Sequence, residues 1–114
     1  MTWYKSKFEA PDGNETVYEV VTSGDGTGFG IAVADIIQSK PHRHEKMIET
    51  YTLVEGMLAV RIDDRVFLLS VEGQSIQIFP GQVHSAWSHY GREHPARVLV
   101  FSSPAWTLED HHLV

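Results

Sequence analysis

Two histidines stand two residues apart in the stretch PHRHEKMIETYTLVEG, and a carboxylate follows them: His42, His44 and Glu49. In an extended strand, side chains two apart leave the same face, so the imidazoles of His42 and His44 can converge on one point. Glu49 lies five residues beyond His44, an odd step that would put it on the opposite face of an uninterrupted strand. A turn over Glu45-Lys46-Met47-Ile48 would end one strand and start the next, leaving Glu49 to face the same interior with Tyr51 and Leu53 following it inward. An isolated His-x-His pair is more often a solvent-facing loop pair than a pair of ligands, so this spacing is a beginning and not a site. The chemistry open to these residue types is metal ligation. The chain has no Cys, which excludes disulfides, zinc-thiolate sites and thiol nucleophiles and leaves imidazole and carboxylate as the donors.

What must position these residues is a series of short β runs. VYEVV at 17–21, FGIAVADII at 29–37 and ETYTLV at 49–54 are rich in branched and aromatic residues, and no segment has a convincing helical period. MLAVRI at 57–62 alternates, with Leu58, Val60 and Ile62 on one face, and Asp63-Asp64 supplies a turn into RVFLLSV at 65–71. Gly56 precedes that hairpin at a turn where a positive φ is useful. Glu72-Gly73, Pro80-Gly81 and Tyr90-Gly91 then punctuate SIQIF, HSAWSHY and ARVLVF at the intervals expected of a sandwich or barrel. The fold class is all-β. GDGTGFG at 24–30 reads as a loop, and Trp106, Leu108, Leu113 and Val114 give the C-terminal segment apolar surface with which to dock.

A length of 114 residues, with 42% hydrophobic and 21% charged residues, is ordinary globular composition and predicts a single domain over 1–114. The formal net charge of -6 disfavours nucleic acid, which needs a cationic surface. No apolar run approaches the roughly 20 residues that span a bilayer, and the opening MTWYKSKFEAPDG lacks the apolar block of a signal peptide, so no membrane partner and a cytoplasmic location are expected.

The two halves of the pattern together resemble the cupin superfamily. Its first motif runs His-x-His, three or four residues, Glu, six residues, Gly, and His42, His44, Glu49 and Gly56 fit it. Its second motif places a Gly, a Pro-x-Gly turn, two residues and a His, and Gly73, Gly81 and His84 match. The short segment between the motifs is similar to that of compact single-domain cupins. Three departures stand out: Ile36 occupies the usual leading Gly, Pro80 directly precedes Gly81, and Ser88 takes the usual Asn position. The resemblance implies a double-stranded β-helix, that is, a jelly-roll barrel. It also implies one divalent transition metal per chain held by His42, His44, Glu49 and His84. Three neutral imidazoles and a carboxylate suit Mn, Fe, Co, Ni, Cu or Zn without choosing among them. An ion that takes six ligands would keep two positions for water or substrate.

Cupin-like proteins include dioxygenases, isomerases and epimerases, lyases, and binding or sensory modules, so resemblance does not fix the reaction. The expectation is a metal-dependent enzyme on a small organic molecule, either a dioxygenase or an isomerase or lyase that uses the metal as a Lewis acid, with Tyr51 as the candidate catalytic hydrogen-bond donor. A non-catalytic small-molecule-binding module is the alternative. A sugar-phosphate isomerase-like protein is another, with Lys40, Arg43 and Lys46 as the nearby cations for a phosphate. His89 and His94 read as solvated loop residues, and His111 and His112 as surface residues that could also close the barrel mouth. Trp87, Phe101 and Trp106 read as core or interface aromatics. Trp3, Tyr4 and Phe8, with many edge-forming runs, suggest a homodimer.

Overall fold

The structure, a computed structural model, describes residues 2–11 and 14–114. Eleven strands occur among them: β1 Ser6–Glu9, β2 Glu15–Val21, β3 Gly30–Ile36, β4 His42–Arg43, β5 Ile48–Glu55 and β6 Leu58–Ile62 in the first half, then β7 Arg65–Leu69, β8 Ser75–Ile78, β9 His84–Ser88, β10 Ala96–Ser103 and β11 His112–Leu113. The helical content of the described residues is two single 3-10 turns, Ser23–Asp25 inside the glycine-rich loop and Leu108–Asp110 near the end of the chain.

The strands form two antiparallel sheets, ordered β1-β2-β3-β10-β5-β8 and β11-β4-β9-β6-β7. This is the jelly-roll arrangement of an all-β chain, and the core lies between the sheets. Alternation decides which side chains enter it. Along β5, Glu49, Tyr51 and Leu53 are buried while their neighbours are not, and along β6 Leu58, Val60 and Ile62 are buried opposite them. Ile36, where the first motif usually starts with Gly, is a fully buried member of this core. At Gly56 the φ of +88° and the 3.2 Å separation between an added Cβ and the Ala96 Cα leave room for glycine alone between β5 and β6.

The opening aromatics are engaged within the chain. Trp3 and Tyr4 pack on Tyr18, and Phe8 stacks on Trp106 with ring centroids 5.7 Å apart. The C-terminal segment departs from its expected mode of docking. Leu108, Leu113 and Val114 remain exposed, and the segment is held by the pairing of β11 with β4 and by the side chain of Asp110. Phe101 also differs from a core aromatic: it lies 42% exposed on the outer face of β10, stacked on Phe29. Trp87 is half-buried in β9.

Candidate metal centre

His42 and His84 are direct cross-strand partners on β4 and β9, with ring centroids 4.1 Å apart. The chain leaves β4 after Arg43, turns through Glu45 and Lys46, and enters β5 at Ile48, so that Glu49 faces the same interior as His44. The turn at Pro80-Gly81 sits beneath this segment, where the Gly81 N–H donates to the His44 carbonyl at 2.7 Å. Pro80 beside Gly81 is thus compatible with the turn that the second motif requires, Gly81 taking a φ of +85°. Ser88, at the usual Asn position, donates its hydroxyl to the His94 carbonyl and ties down the following loop.

The ring orientations are set by backbone. The Nδ1 of His42 faces the Lys40 carbonyl at 2.8 Å, that of His44 the Asp110 carbonyl at 2.7 Å, and that of His84 the Gln82 carbonyl at 3.2 Å. A carbonyl only accepts, so each Nδ1 carries the proton and each Nε2 presents a lone pair. These three donors and a Glu49 carboxylate oxygen lie within 4.8 Å of one another, and all four residues are buried. Glu49 Oε1 is 3.3 Å from His84 Nε2 and 3.8 Å from His44 Nε2. None of these three atoms finds a hydrogen-bond partner among the described residues. Buried lone pairs that face only one another are costly, and a divalent cation between them is the group that satisfies all of them.

Electrostatics agree with that donor state. Burial, reinforced by the neighbouring His84, pushes the His42 imidazole down to about 3, so it is neutral near pH 7. Burial works against ionising Glu49, yet an N–H or positive charge at His84, then at His44 and His42, outweighs it and holds the carboxyl down at about 2, the effect a metal cation at the same donors would reproduce. The four positions expected from the sequence are therefore brought together as one buried cluster of metal-ligating types.

The cluster opens into a cavity lined by His42, His44, Glu49 and Tyr51. Tyr51, two residues beyond Glu49 on the inner face of β5, is buried and reaches the cavity from the core side. Glu15 and Glu19 of β2, with Phe8, Trp106 and His111, add to the polar and aromatic lining of the cavity. Neither Lys nor Arg lines it among the described residues. Lys40 and Lys46 are exposed, and Arg43 sits 3.7 Å from Glu45. His89 and His94 are exposed and touch Tyr90, away from the cluster.

Sequence reasoning missed Glu15, Glu19 and Asp110, and put His111 first at the surface with closure of the barrel mouth as its second reading. Glu15 and Glu19 are ordinary strand carboxylates until β2 is folded across the mouth. Asp110 is buried, its carboxylate accepting the backbone N–H groups of Glu45, Lys46 and Met47, and its carbonyl orienting His44. Burial pushes its carboxyl up, but those three N–H groups prevail and hold it below the usual range. His111 is not a surface residue: it is half-buried against His42, with ring centroids 4.3 Å apart and planes 14° apart. Burial, with His44 nearby, pushes its imidazole down to about 4. His112, half-buried, approaches Asp110 at 3.8 Å. Trp106 lines the cavity, half-buried against Phe8.

Comparison with known proteins bears on this arrangement. The chain is similar, at 16% identity, to a protein from Planctomyces limnophilus, with a TM-score of 0.74 over 95% of this chain and 89% of that one. KdgF from Halomonas sp. matches at 16% identity with a TM-score of 0.72, covering 90% of this chain and 88% of the other. Streptomyces Pac13, solved with uridine, matches at 12% identity with a TM-score of 0.76 over 100% of this chain and 92% of its own. Pac13 is described as a nucleoside dehydratase. No curated protein sequence matches the chain. These likenesses share the two-sheet barrel, and the family model for the cupin domain matches residues 35–102, which hold both strand motifs and all four clustered donors; the chain belongs to the cupin family.

Proposed function

We propose that the protein is a metal-dependent lyase or isomerase acting on a small, uncharged, hydroxyl-bearing molecule. The observation that carries this reading is the composition of the cavity, in which three of the four metal donors, His42, His44 and Glu49, share the lining with two further carboxylates, Glu15 and Glu19, and with Tyr51, and no Lys or Arg side chain. A divalent transition metal bound by His42, His44, Glu49 and His84 would supply Lewis-acid polarisation of a substrate oxygen. In this reading Tyr51 donates a hydrogen bond to that substrate and Glu15 or Glu19 accepts a proton from carbon or hydroxyl, supported by the presence of all three in the cavity lining. An acidic cavity disfavours a phosphorylated substrate, which would meet like charge and no cationic partner. The kinship in fold with a nucleoside dehydratase that binds uridine supports the same class of neutral, hydroxylated molecule.

The test is metal analysis of the purified protein, anaerobic reconstitution, and incubation with a panel of neutral sugars, nucleosides and keto compounds in D2O. Metal-dependent deuterium incorporation or loss of water, seen by NMR without O2 consumption, is the expected result. Substrate-dependent O2 uptake would make it a dioxygenase instead, and saturable binding without turnover a binding module. The same reading carries a cytoplasmic homodimer. Its support is Val66, Phe67 and Leu68, three consecutive exposed apolar residues on β7, the edge strand of the five-stranded sheet. Light scattering at micromolar protein should give twice the chain mass.

A further inference from the structure

Four imidazoles meet at the donor cluster, three of them, His42, His44 and His111, lining the cavity, and they do not share one tautomer. In His42, His44 and His84 the Nδ1 faces a backbone carbonyl, which leaves Nε2 as the lone-pair donor. In His111 the Nδ1 faces the Trp106 indole Nε1–H at 3.3 Å. An indole N–H only donates, so Nδ1 of His111 is the acceptor and its proton sits on Nε2. The neighbours that fix this choice are themselves fixed. Trp106 donates its backbone N–H to the Ser102 hydroxyl at 3.2 Å and stacks on Phe8, and Asp110, one residue before His111, is anchored by three backbone N–H groups. The His111 ring lies parallel to that of His42 and edge-on to that of His44, at 5.4 Å and 70°. A fourth imidazole thus stands against the metal donors with an N–H where each of them has a lone pair.

We propose that His111 is a substrate-binding hydrogen-bond donor of this cavity, its Nε2–H set by Trp106 to hold a carbonyl or hydroxyl oxygen beside the metal, and that it is not a fifth metal ligand. Trp106 is the positioning residue that acts through it. The substrate part of this proposal rests on the reading of the cavity as a site for an oxygen-bearing molecule, whereas the tautomer assignment stands without it. Its consequence is selectivity for a molecule with two neighbouring oxygens, one for the metal and one for His111.

The test uses the full chain loaded with Zn2+, which is diamagnetic, and 15N-labelled imidazoles. Long-range 1H–15N correlation spectra near pH 7.5 should show three rings with Nδ1–H and a metal-shifted Nε2, and His111 with Nε2–H and an unprotonated Nδ1. Trp106→Phe keeps the ring against Phe8 but removes the donor. It should leave one Zn2+ per chain while His111 becomes a mixture of tautomers. Acetohydroxamate, which offers two adjacent oxygens, then serves as the probe in the Co2+-loaded protein, read by its visible spectrum. His111→Phe should weaken its binding roughly five- to tenfold at unchanged metal content, and His111→Gln, which keeps an N–H donor, should recover part of that loss. A metal-shifted Nε2 or an Nδ1–H on His111 in the unaltered protein would overturn the proposal. So would unchanged probe affinity in His111→Phe. Failure of every substrate on the panel, with the Nε2–H tautomer and the probe effect intact, would instead count against the lyase or isomerase reading alone.

Discussion

Asp110 holds His44 from both ends of its own residue: its carbonyl accepts the His44 Nδ1 proton at 2.7 Å, while its carboxylate accepts the N–H groups of Glu45, Lys46 and Met47 that follow. The turn between the second and third metal donors is thereby closed from the far end of the chain. Removing the carboxylate leaves three backbone N–H groups, that of buried Met47 among them, without this acceptor, a loss on the order of 1–3 kcal/mol. Asp110→Ala is expected to lower the urea midpoint of the metal-free protein by that amount and to weaken Zn2+ binding in addition. Unchanged stability and unchanged Zn2+ affinity in this variant would show that the turn holds itself.

Glu49→Gln keeps shape and removes the charge, while His84→Ala removes one donor nitrogen. Both should lose most bound metal by elemental analysis, and with it the rise in melting temperature that a ligand of the folded state brings. His94→Ala, in an exposed loop, should change neither. If Glu49→Gln and His84→Ala each retain one tightly held metal while His94→Ala loses it, the assignment of donors is wrong.

Acid should destabilise the metal-free protein before it protonates ordinary carboxylates. The His42 imidazole lies at about 3 when folded against 6.5 when unfolded, so between those values the unfolded chain binds a proton that the folded chain does not. Stability therefore rises with pH across that window and is lost as pH falls below about 6.5. Glu49, held at about 2 against 4.5, adds a loss of the same sign at lower pH. Thermal melts in EDTA from pH 8 to pH 4 should be flat at the top and fall from about 6.5 downward, and His42→Ala should flatten the upper part of that slope. A melting temperature that climbs on acidification contradicts the buried, neutral state of His42.

Two glycines with similar backbone separate strain from crowding. Gly56 has φ +88° and an added Cβ would lie 3.2 Å from the Ala96 Cα, whereas Gly91 has φ +79° with nothing within 4 Å. Gly91→Ala should incur only the cost of the left-handed conformation, about 1 kcal/mol. Gly56→Ala should exceed it, because the obstructing atom is backbone and cannot rotate away. Denaturant midpoints measured side by side decide the order.

The sequence made the strand half of the site legible because strands have a period. Residues two apart share a face, so His42 with His44 and Glu49 with Tyr51 and Leu53 could be placed relative to one another before any contact was known. His84 entered through the spacing of a second motif, and its pairing with His42 across β4 and β9 follows from the fold that this motif implies. Asp110, Trp106 and His111 carry no such signal. They lie outside any long strand, and their roles depend on a single 3-10 turn being carried back to residues 42–47, a long-range contact that no local pattern encodes. The adjacent pair His111-His112 was the one visible hint, and it reads equally well as a solvated tail. Glu15 and Glu19 were hidden for another reason: alternation tells which side of β2 they occupy but not that this side covers a cavity.

Because β11 pairs with β4 and the Asp110 carbonyl orients His44, the centre has an order in time as well as in space. A ribosome delivers His42, His44, Glu49 and His84 before it delivers Asp110, and until Asp110 has emerged and docked the His44 ring lacks the carbonyl that orients it. The four donors are thus synthesised ahead of the residue that sets one of them. Metal capture at full affinity should on this account follow the emergence of Asp110 and not that of His84.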